Sequence, residues 1–477
     1  MSLKTSNVPF YERIQHQIDD SVMRIAVANA QDRIGHNRQI VIDELEHWDD
    51  WRSRAADIRA HVLNNLDAYL YQLSEKIAAN GGKVFFADTR EDATRYILQI
   101  AKEKQARKVV KSKSMVTEEI GMNVVLEAAG IEVIETDLGE YILQLAKDAP
   151  SHVVVPAIHR DRHQIQRILQ EKMGYEGPET PEAMTQFIRQ KIRADFLSAD
   201  IGITGCNFAV AETGTVSLVS NEGNARLCTT VPKTHIAVMG MERIVPTFNE
   251  LDTILTMLAR SAVGARLTGY NTWLTGPKNS MESDGPEEFH LVIIDNGRSQ
   301  ILGSPFQDIL RCIRCGACMN TCPAYRHIGG HGYGSIYPGP VGAVLTPLLG
   351  GYEDFKNLPY ACSLCTACDD VCPVRIPLSS LILQHRRTLA ESGMTPSMER
   401  GTVKLFNYAN RHHGLWKIGM VAGARTAKMM IRNGKLPINI SAIGKWSEAR
   451  DLPDADGESF RSWFKKHQRQ SKKGEKA

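Results

Sequence analysis

No run of apolar residues in this 477-residue chain approaches the roughly 18 that a membrane-spanning helix needs. The longest candidate, "VGAVLTPLLGG" near residue 345, is broken by Gly, Thr and Pro, so any membrane link is expected to run through another protein or an interfacial contact. The first residues, "MSLKTSNVPFYERIQHQIDD", hold neither an apolar signal core nor a small-residue cleavage site, and the expected location is the cytoplasm. Net charge is nearly absent. Fifty-seven Lys and Arg against 54 Asp and Glu leave +3, which excludes a global field that would recruit nucleic acid or a membrane. Nucleotide signatures are missing as well: there is no G-x-G-x-x-G after a strand and no G-x-x-x-x-G-K-[ST], while "GHGYGSIYPG" is glycine-rich at the wrong spacing. What remains is an ordinary globular composition, 43% hydrophobic and 23% charged, long enough for several domains.

Cysteine is scarce except in two places. "CIRCGACMNTCP" begins at Cys312 and "CSLCTACDDVCP" at Cys362, and each cysteine of the second stretch lies 50 residues after its counterpart in the first. The unit is C-x2-C-x2-C-x3-C-P, written twice. Three cysteines at x2 spacing turn inward on one short loop and hold three irons of a cubane; in two-cluster ferredoxins the fourth ligates the other cluster. That pattern assigns one [4Fe–4S] cluster to Cys312, Cys315, Cys318 and Cys372, and a second to Cys362, Cys365, Cys368 and Cys322. Structural zinc uses four ligands in paired C-x2-C units, so this stretch has more thiolates than one zinc needs. Disulfides do not suit a cytosolic chain. Cys206 and Cys228 stand alone in apolar surroundings and read as buried small hydrophobes.

Residues 1–80 read as helices, with Phe10, Ile14, Ile18, Val22 and Ile25 at three- and four-residue steps. Over residues 81–300 short β-branched runs, "KVFFA", "KVVKSK", "IEVIETD" and "HVVVP", alternate with helical stretches, as in βαβ units around a mainly parallel sheet. "GITGCNFAVAETGTVSLVS", "HIAVMGMERI" and "HLVIID" continue the strands. Residues 301–380 hold the cysteine motifs, separated by "GGHGYGSIYPGPVGAVLTPLLGGYEDF", expected as an ordered loop shielding clusters. A helical region follows over 381–455, and 456–477 is a basic tail expected to be disordered, with docking on an acidic partner as the sharper alternative.

These blocks together, "AETGTVSLVSNEGNARLCTTVPKTHIAVMGMERI", "DGPEEFHLVIIDNGR", the tandem cysteine segment and "GHGYGSIYPGPVGAVLTPLL", resemble the lactate utilization protein B family over nearly the whole chain. The resemblance implies an α/β LUD-like domain, similar to the sugar-phosphate isomerase and CoA-transferase type of fold, joined to an α-helical ferredoxin-type domain with two [4Fe–4S] clusters. It implies cytoplasmic oxidation of L-lactate to pyruvate with two partners, a second cysteine-rich iron–sulfur subunit and another LUD-domain protein. The chain is then an electron-transfer component of an oxidoreductase complex rather than its catalyst, with the electron acceptor left open.

Other candidates lie in the α/β part. Lys111, Lys113 and Ser114 are placed at a strand end and Glu118 and Glu119 in the first turn of a helix, where open α/β sheets gather ligands. Glu212, before a Gly turn, is the candidate catalytic carboxylate by analogy with that type of fold, set against a plain turn or helix-end role. "HRDRH", His159 to His163, offers Arg160 or Arg162 as a carboxylate grip, or simply a solvated helix start. His412 and His413 read as surface residues, and Ile313, Ala317 and Leu364 as the apolar shell that tunes cluster potential. Two alternatives stand beside lactate: the same wiring for another 2-hydroxy acid such as glycolate, or an enzyme acting on an acyl or phosphate substrate with structural or sensing clusters.

Overall fold

The computed structural model describes residues 3–430 and 460–474. The β-branched runs form strands β1 (Lys83–Ala87), β2 (Lys108–Lys111), β3 (Glu132–Glu135), β4 (Ile201–Gly205), β5 (Phe208–Val210), β6 (Thr215–Ser220), β7 (Thr234–Gly240), β8 (Ile244–Val245), β9 (Tyr270–Leu274) and β10 (Glu288–Ile294). Six of them make a parallel sheet in the order β1-β10-β7-β4-β2-β3. Every residue of β7 is buried, as a strand covered on both faces requires. The chain leaves β2 toward β3 on one side and leaves β4 toward β7 on the other, so the switch point of the sheet lies between β2 and β4. A second sheet, β8-β5-β6-β9, stands beside it, and its β5–β6 hairpin turns through Gly214 at a φ of 73°.

Helices follow the cues in the sequence. The crossover helix Arg90–Glu103 starts at a capping box of Thr89 and Asp92. "TEEIGMNVVLEAAG" breaks into Met115–Glu119 and Met122–Ala128 at Gly121, whose φ is 67°. Four helices precede the sheet: α1 (Phe10–Asp19), α2 (Ser21–Asp43), α3 (Trp48–Asn64) and α4 (Leu66–Ala79). The first three do not form a separate layer. Met23 and Val27 of α2 and Ala55 and Ile58 of α3 share one apolar core with Cys315, Cys318, Met319 and Tyr325 of the cysteine segment. Their polar groups reach it too: Gln31 donates to the Met319 carbonyl (2.7 Å), and Arg52 donates to the Asp369 and Cys372 carbonyls (3.0 Å each).

Three expectations are corrected. "HVVVP" is not a strand; Ser151 to Pro156 close a loop in which the His152 ring accepts from the Val154 and Val155 amides, spending hydrogen bonds a ladder would need. The Gly/Pro stretch between the motifs is only partly loop, since Gly339–Gly350 is a helix, with Pro340 in the first turn, where a missing N–H costs nothing. The basic tail includes a helix, Phe460–Gly474, because Phe460, Trp463 and Phe464 recur at helical spacing on one stripe amid Lys and Arg. Residues 456–459 and 475–477 of that tail lie outside the described residues.

Residues up to Leu389 form one compact unit and those from Ala390 another. Within the second, Ser397–Arg411 and His413–Met430 pack as a helical pair through Phe406 and Trp416, whose ring centroids are 5.7 Å apart; His412 and His413 are exposed. Among the described residues no helix is long and apolar enough to cross a membrane.

Candidate cluster sites and their surroundings

The two cysteine motifs fold alike. Arg314 and Leu364, fifty residues apart, adopt left-handed φ values of 59° and 56°, and Gly316 and Thr366 follow at 78° and 65°. These kinks bring the cysteines of each loop together. A Cβ on Gly316 would meet the His152 ring at 2.9 Å, so glycine serves close packing as well as conformation there. Backbone amides point at sulfur: Arg314 to Cys312 (3.4 Å), Leu364 to Cys362 (3.3 Å), Tyr325 to Cys322 (3.5 Å) and Ile376 to Cys372 (3.3 Å). The Val341 amide, in the first turn of Gly339–Gly350, serves Cys318.

All eight motif thiols are free, and most are buried. Burial pushes Cys315 up to about 12, and the charges of Cys312 and Cys372 act in the same direction. Burial likewise raises Cys322, with Cys362 and Cys365 adding to it. Cys372 thus faces the first loop and Cys322 the second. Crowded buried thiols stay protonated unless a cation stabilises the thiolate, and sulfur-directed amides pay off only with anionic sulfur. A donor set of this kind fits iron–sulfur clusters. Ile313 and Ala317 are buried beside Cys312 and Cys315, while Leu364 is half-buried and Cys365 exposed, so the two sites differ in solvent access.

A polar network joins the first loop to the carboxyl ends of the parallel strands. Glu119 is buried; it accepts from both Arg298 Nη atoms (2.9 and 2.8 Å), from Asn296 (2.7 Å) and from the Tyr337 hydroxyl (2.8 Å). Arg298 Nε lies 3.0 Å from Glu242, which also faces Arg243 and Arg314 at 3.8 and 3.9 Å. Arg243 donates to the Cys312 carbonyl (3.1 Å), and the Arg314 guanidinium sits 4.6 Å over the Tyr337 ring. Burial raises the Glu242 carboxyl, but Arg298, Arg243 and Arg314 outweigh it and hold the group down at about 2. The sequence reading missed this network. Its signal was the polar residues directly after β7 and β10, in "GMERI" and "DNGR".

The remaining candidates scatter. Lys111 is buried and pairs with Glu118 (2.5 Å) and Glu135 (2.8 Å), so it ties β2 to its neighbours. Ser114 caps Met115–Glu119. Arg160 and His159 do grip a carboxylate, but an internal one, Asp148; His163 pairs with Glu179 at 2.5 Å, and Arg162 opens the helix Arg162–Met173. Glu212 is exposed in the β5–β6 turn, and its backbone amide donates to the Pro246 carbonyl. Cys206 and Cys228 are buried, and burial pushes both up to about 12.

Comparisons with known proteins accord with this division. A LUD domain profile matches residues 70–294, a 4Fe-4S dicluster domain 308–376, and the C-terminal family of lactate utilisation protein B 384–469. The "Uncharacterized electron transport protein YkgF" of Escherichia coli (strain K12) is 75% identical over 99% of this chain and 100% of its own length. "Lactate utilization protein B" of Bacillus pumilus (strain SAFR-032) is 54% identical over 98% of this chain and 100% of that one. The chain belongs to the lactate utilization protein B family. It is an iron–sulfur component of lactate utilisation with two [4Fe–4S] clusters. A crystal structure of a DUF162 family protein from Deinococcus radiodurans shares 16% identity at a TM-score of 0.28, covering 48% of this chain and 98% of that one.

Proposed function

We propose that the chain is the electron-transfer subunit of a cytoplasmic complex oxidising L-lactate to pyruvate, with a second cysteine-rich iron–sulfur subunit and another LUD-domain protein as partners. Cluster 1 is held by Cys312, Cys315, Cys318 and Cys372, and cluster 2 by Cys362, Cys365, Cys368 and Cys322. The observation that supports this reading is that the charge of Cys372 acts on Cys315 alongside that of Cys312, and those of Cys362 and Cys365 act on Cys322. Fourth cysteines exchanged in this way keep two clusters adjacent, which supports a conduit.

The clusters supply one-electron transfer when bound. The chain's own residues set the conditions: the amides at Arg314, Leu364, Tyr325 and Ile376 stabilise anionic sulfur, and Arg243 brings positive charge to the first loop. Glu212, exposed in its turn, has no part in this scheme.

The test is an anaerobic mixture of the reconstituted protein with its two partners. L-lactate should generate the EPR signals of reduced clusters in this chain, and Cys315→Ser should stop electron flow while the α/β domain stays folded. Reduction by glycolate in place of L-lactate would shift the assignment to another 2-hydroxy acid. Silence toward both would refute the proposal.

A further inference from the structure

A cavity of about 590 Å³ opens at the carboxyl ends of β2 and β4, the switch point of the parallel sheet. One wall is apolar, with Ile142, Val155, Leu218 and Leu258; another is Ile313 and Arg314, the two residues between Cys312 and Cys315. Two cationic side chains lining it have unmet donors. Lys113 Nζ is buried without a hydrogen-bond partner, its nearest carboxylate oxygen being that of Glu140 at 3.9 Å, and Arg314 Nη1 is buried and unpartnered. Burial pushes Glu140 up to about 8, so at neutral pH it does little to balance the ammonium. Hidden donors of this kind are costly unless something accepts from them.

The size selects among ligands. Cavities of roughly 300–1,000 Å³ hold drug-sized molecules, and a three-carbon hydroxy acid leaves most of this one empty. The chemistry selects further. Oxidation of a 2-hydroxy acid removes two electrons together, whereas iron–sulfur centres take one at a time, so a two-electron carrier is needed beside them. The chain shows no dinucleotide fingerprint, which leaves a smaller carrier.

We infer that this cavity binds an organic two-electron carrier with an anionic tail, of the flavin mononucleotide class, its anion met by Lys113 and its ring system set against Ile313 and Arg314. The inference rests on the proposed lactate oxidation and adds the converter that reading lacks. Arg314 Nη1 supplies a donor for a ring carbonyl. The balance closes: the oxidised ring takes two electrons and one proton as FMNH⁻ while the substrate's hydroxyl proton passes to solvent, and return to FMN releases two single electrons and the N5 proton. Glu222 lines the cavity, accepts from the Leu138 amide at 3.1 Å, and is pushed up to about 7 by burial and Asp137, which suits it to take that proton.

The test titrates FMN into the anaerobically reconstituted full-length protein, following flavin fluorescence, with riboflavin, inorganic phosphate and L-lactate in parallel. Expected is 1:1 binding of FMN, at least about tenfold tighter than riboflavin, the size of one charge-assisted hydrogen bond. Lys113→Gln should erase that preference with cluster EPR unchanged, and Ala262→Leu, narrowing the cavity, should weaken both flavins. No FMN binding by protein with full cluster signals overturns the inference and leaves the electron-transfer reading standing. Equal affinity for riboflavin and FMN, or occupation by L-lactate that excludes FMN, overturns it as well. Loss of cluster signals strikes the electron-transfer reading alone, because flavin binding is read separately.

Discussion

Replacing Arg243 by Gln should lower the reduction potential of cluster 1. Near the first cysteine loop four largely buried guanidiniums stand beside two buried carboxylates, Glu119 and Glu242: Arg243, Arg298 and Arg314 pair with these, while Arg59 donates to backbone carbonyls. The excess of two positive charges matches the double negative charge of an oxidised cubane with its four thiolates. At the second motif Asp369 Oδ1 lies 3.6 Å from Cys368 Sγ, and Arg386 donates to the Cys362 carbonyl at 2.6 Å. Arg243 is 7% exposed and bonds the Cys312 carbonyl at 3.1 Å. At an illustrative separation of roughly 7 Å and an effective dielectric of about 20, a unit charge contributes about 2.4 kcal/mol. For a one-electron couple that is about 100 mV, and rebalancing by Glu242 brings the expected drop to roughly 50–100 mV. EPR-monitored redox titration of the reconstituted variant measures it. A change below about 20 mV, or one confined to cluster 2, would refute the electrostatic reasoning.

Three further outcomes are expected. Cys372→Ser removes a ligand from cluster 1 although it sits in the second motif, so iron content should fall from about eight to about four with cluster 2 signals retained; loss of cluster 2 instead would overturn the exchanged assignment. Glu119→Ala strands Arg298 and the Tyr337 hydroxyl, and such a broken buried pair costs about 3–5 kcal/mol, read as a lowered urea midpoint, whereas an unchanged midpoint contradicts the network's role. His235 is buried against Thr204 at 2.8 Å, and burial lowers it from 6.5 to about 3. The unfolded chain then binds a proton that the folded one refuses. The stability from the neutral ring is fully present above pH 6.5 and declines as pH falls toward 3, by about 1.4 kcal/mol per pH unit. In His235→Gln that slope should be shallower by one proton, measured by urea unfolding between pH 7 and 5.

Periodicity carried the architecture a long way. The β1, β2, β3, β7 and β10 runs are dense in β-branched residues and lie where the alternation placed them. The duplicated C-x2-C-x2-C-x3-C-P unit was legible because both copies keep one spacing, fifty residues apart. Elsewhere local pattern failed for tertiary reasons. "HVVVP" has strand composition, but its amides are taken by His152, whose Nε2 faces Asn320 at 3.1 Å across the chain. β9, "YNTWL", is largely solvent-facing and shows no apolar run. The helices α1 to α3 carry a helical period that says nothing of their docking on the cysteine segment, which depends on Gln31 and Arg52 meeting carbonyls about 290 to 320 positions away. Glu119 stands out in sequence by its place after β2, but Glu242 and Arg298 look like any surface charges; only the fold makes the three a buried network.

The most direct test of the electron-transfer account is anaerobic purification and reconstitution, with iron and acid-labile sulfide counts and EPR of the dithionite-reduced protein. About eight irons, matching sulfide, and the split signals of two interacting reduced [4Fe–4S] centres are predicted. Zinc without sulfide, or two magnetically isolated centres, would contradict it.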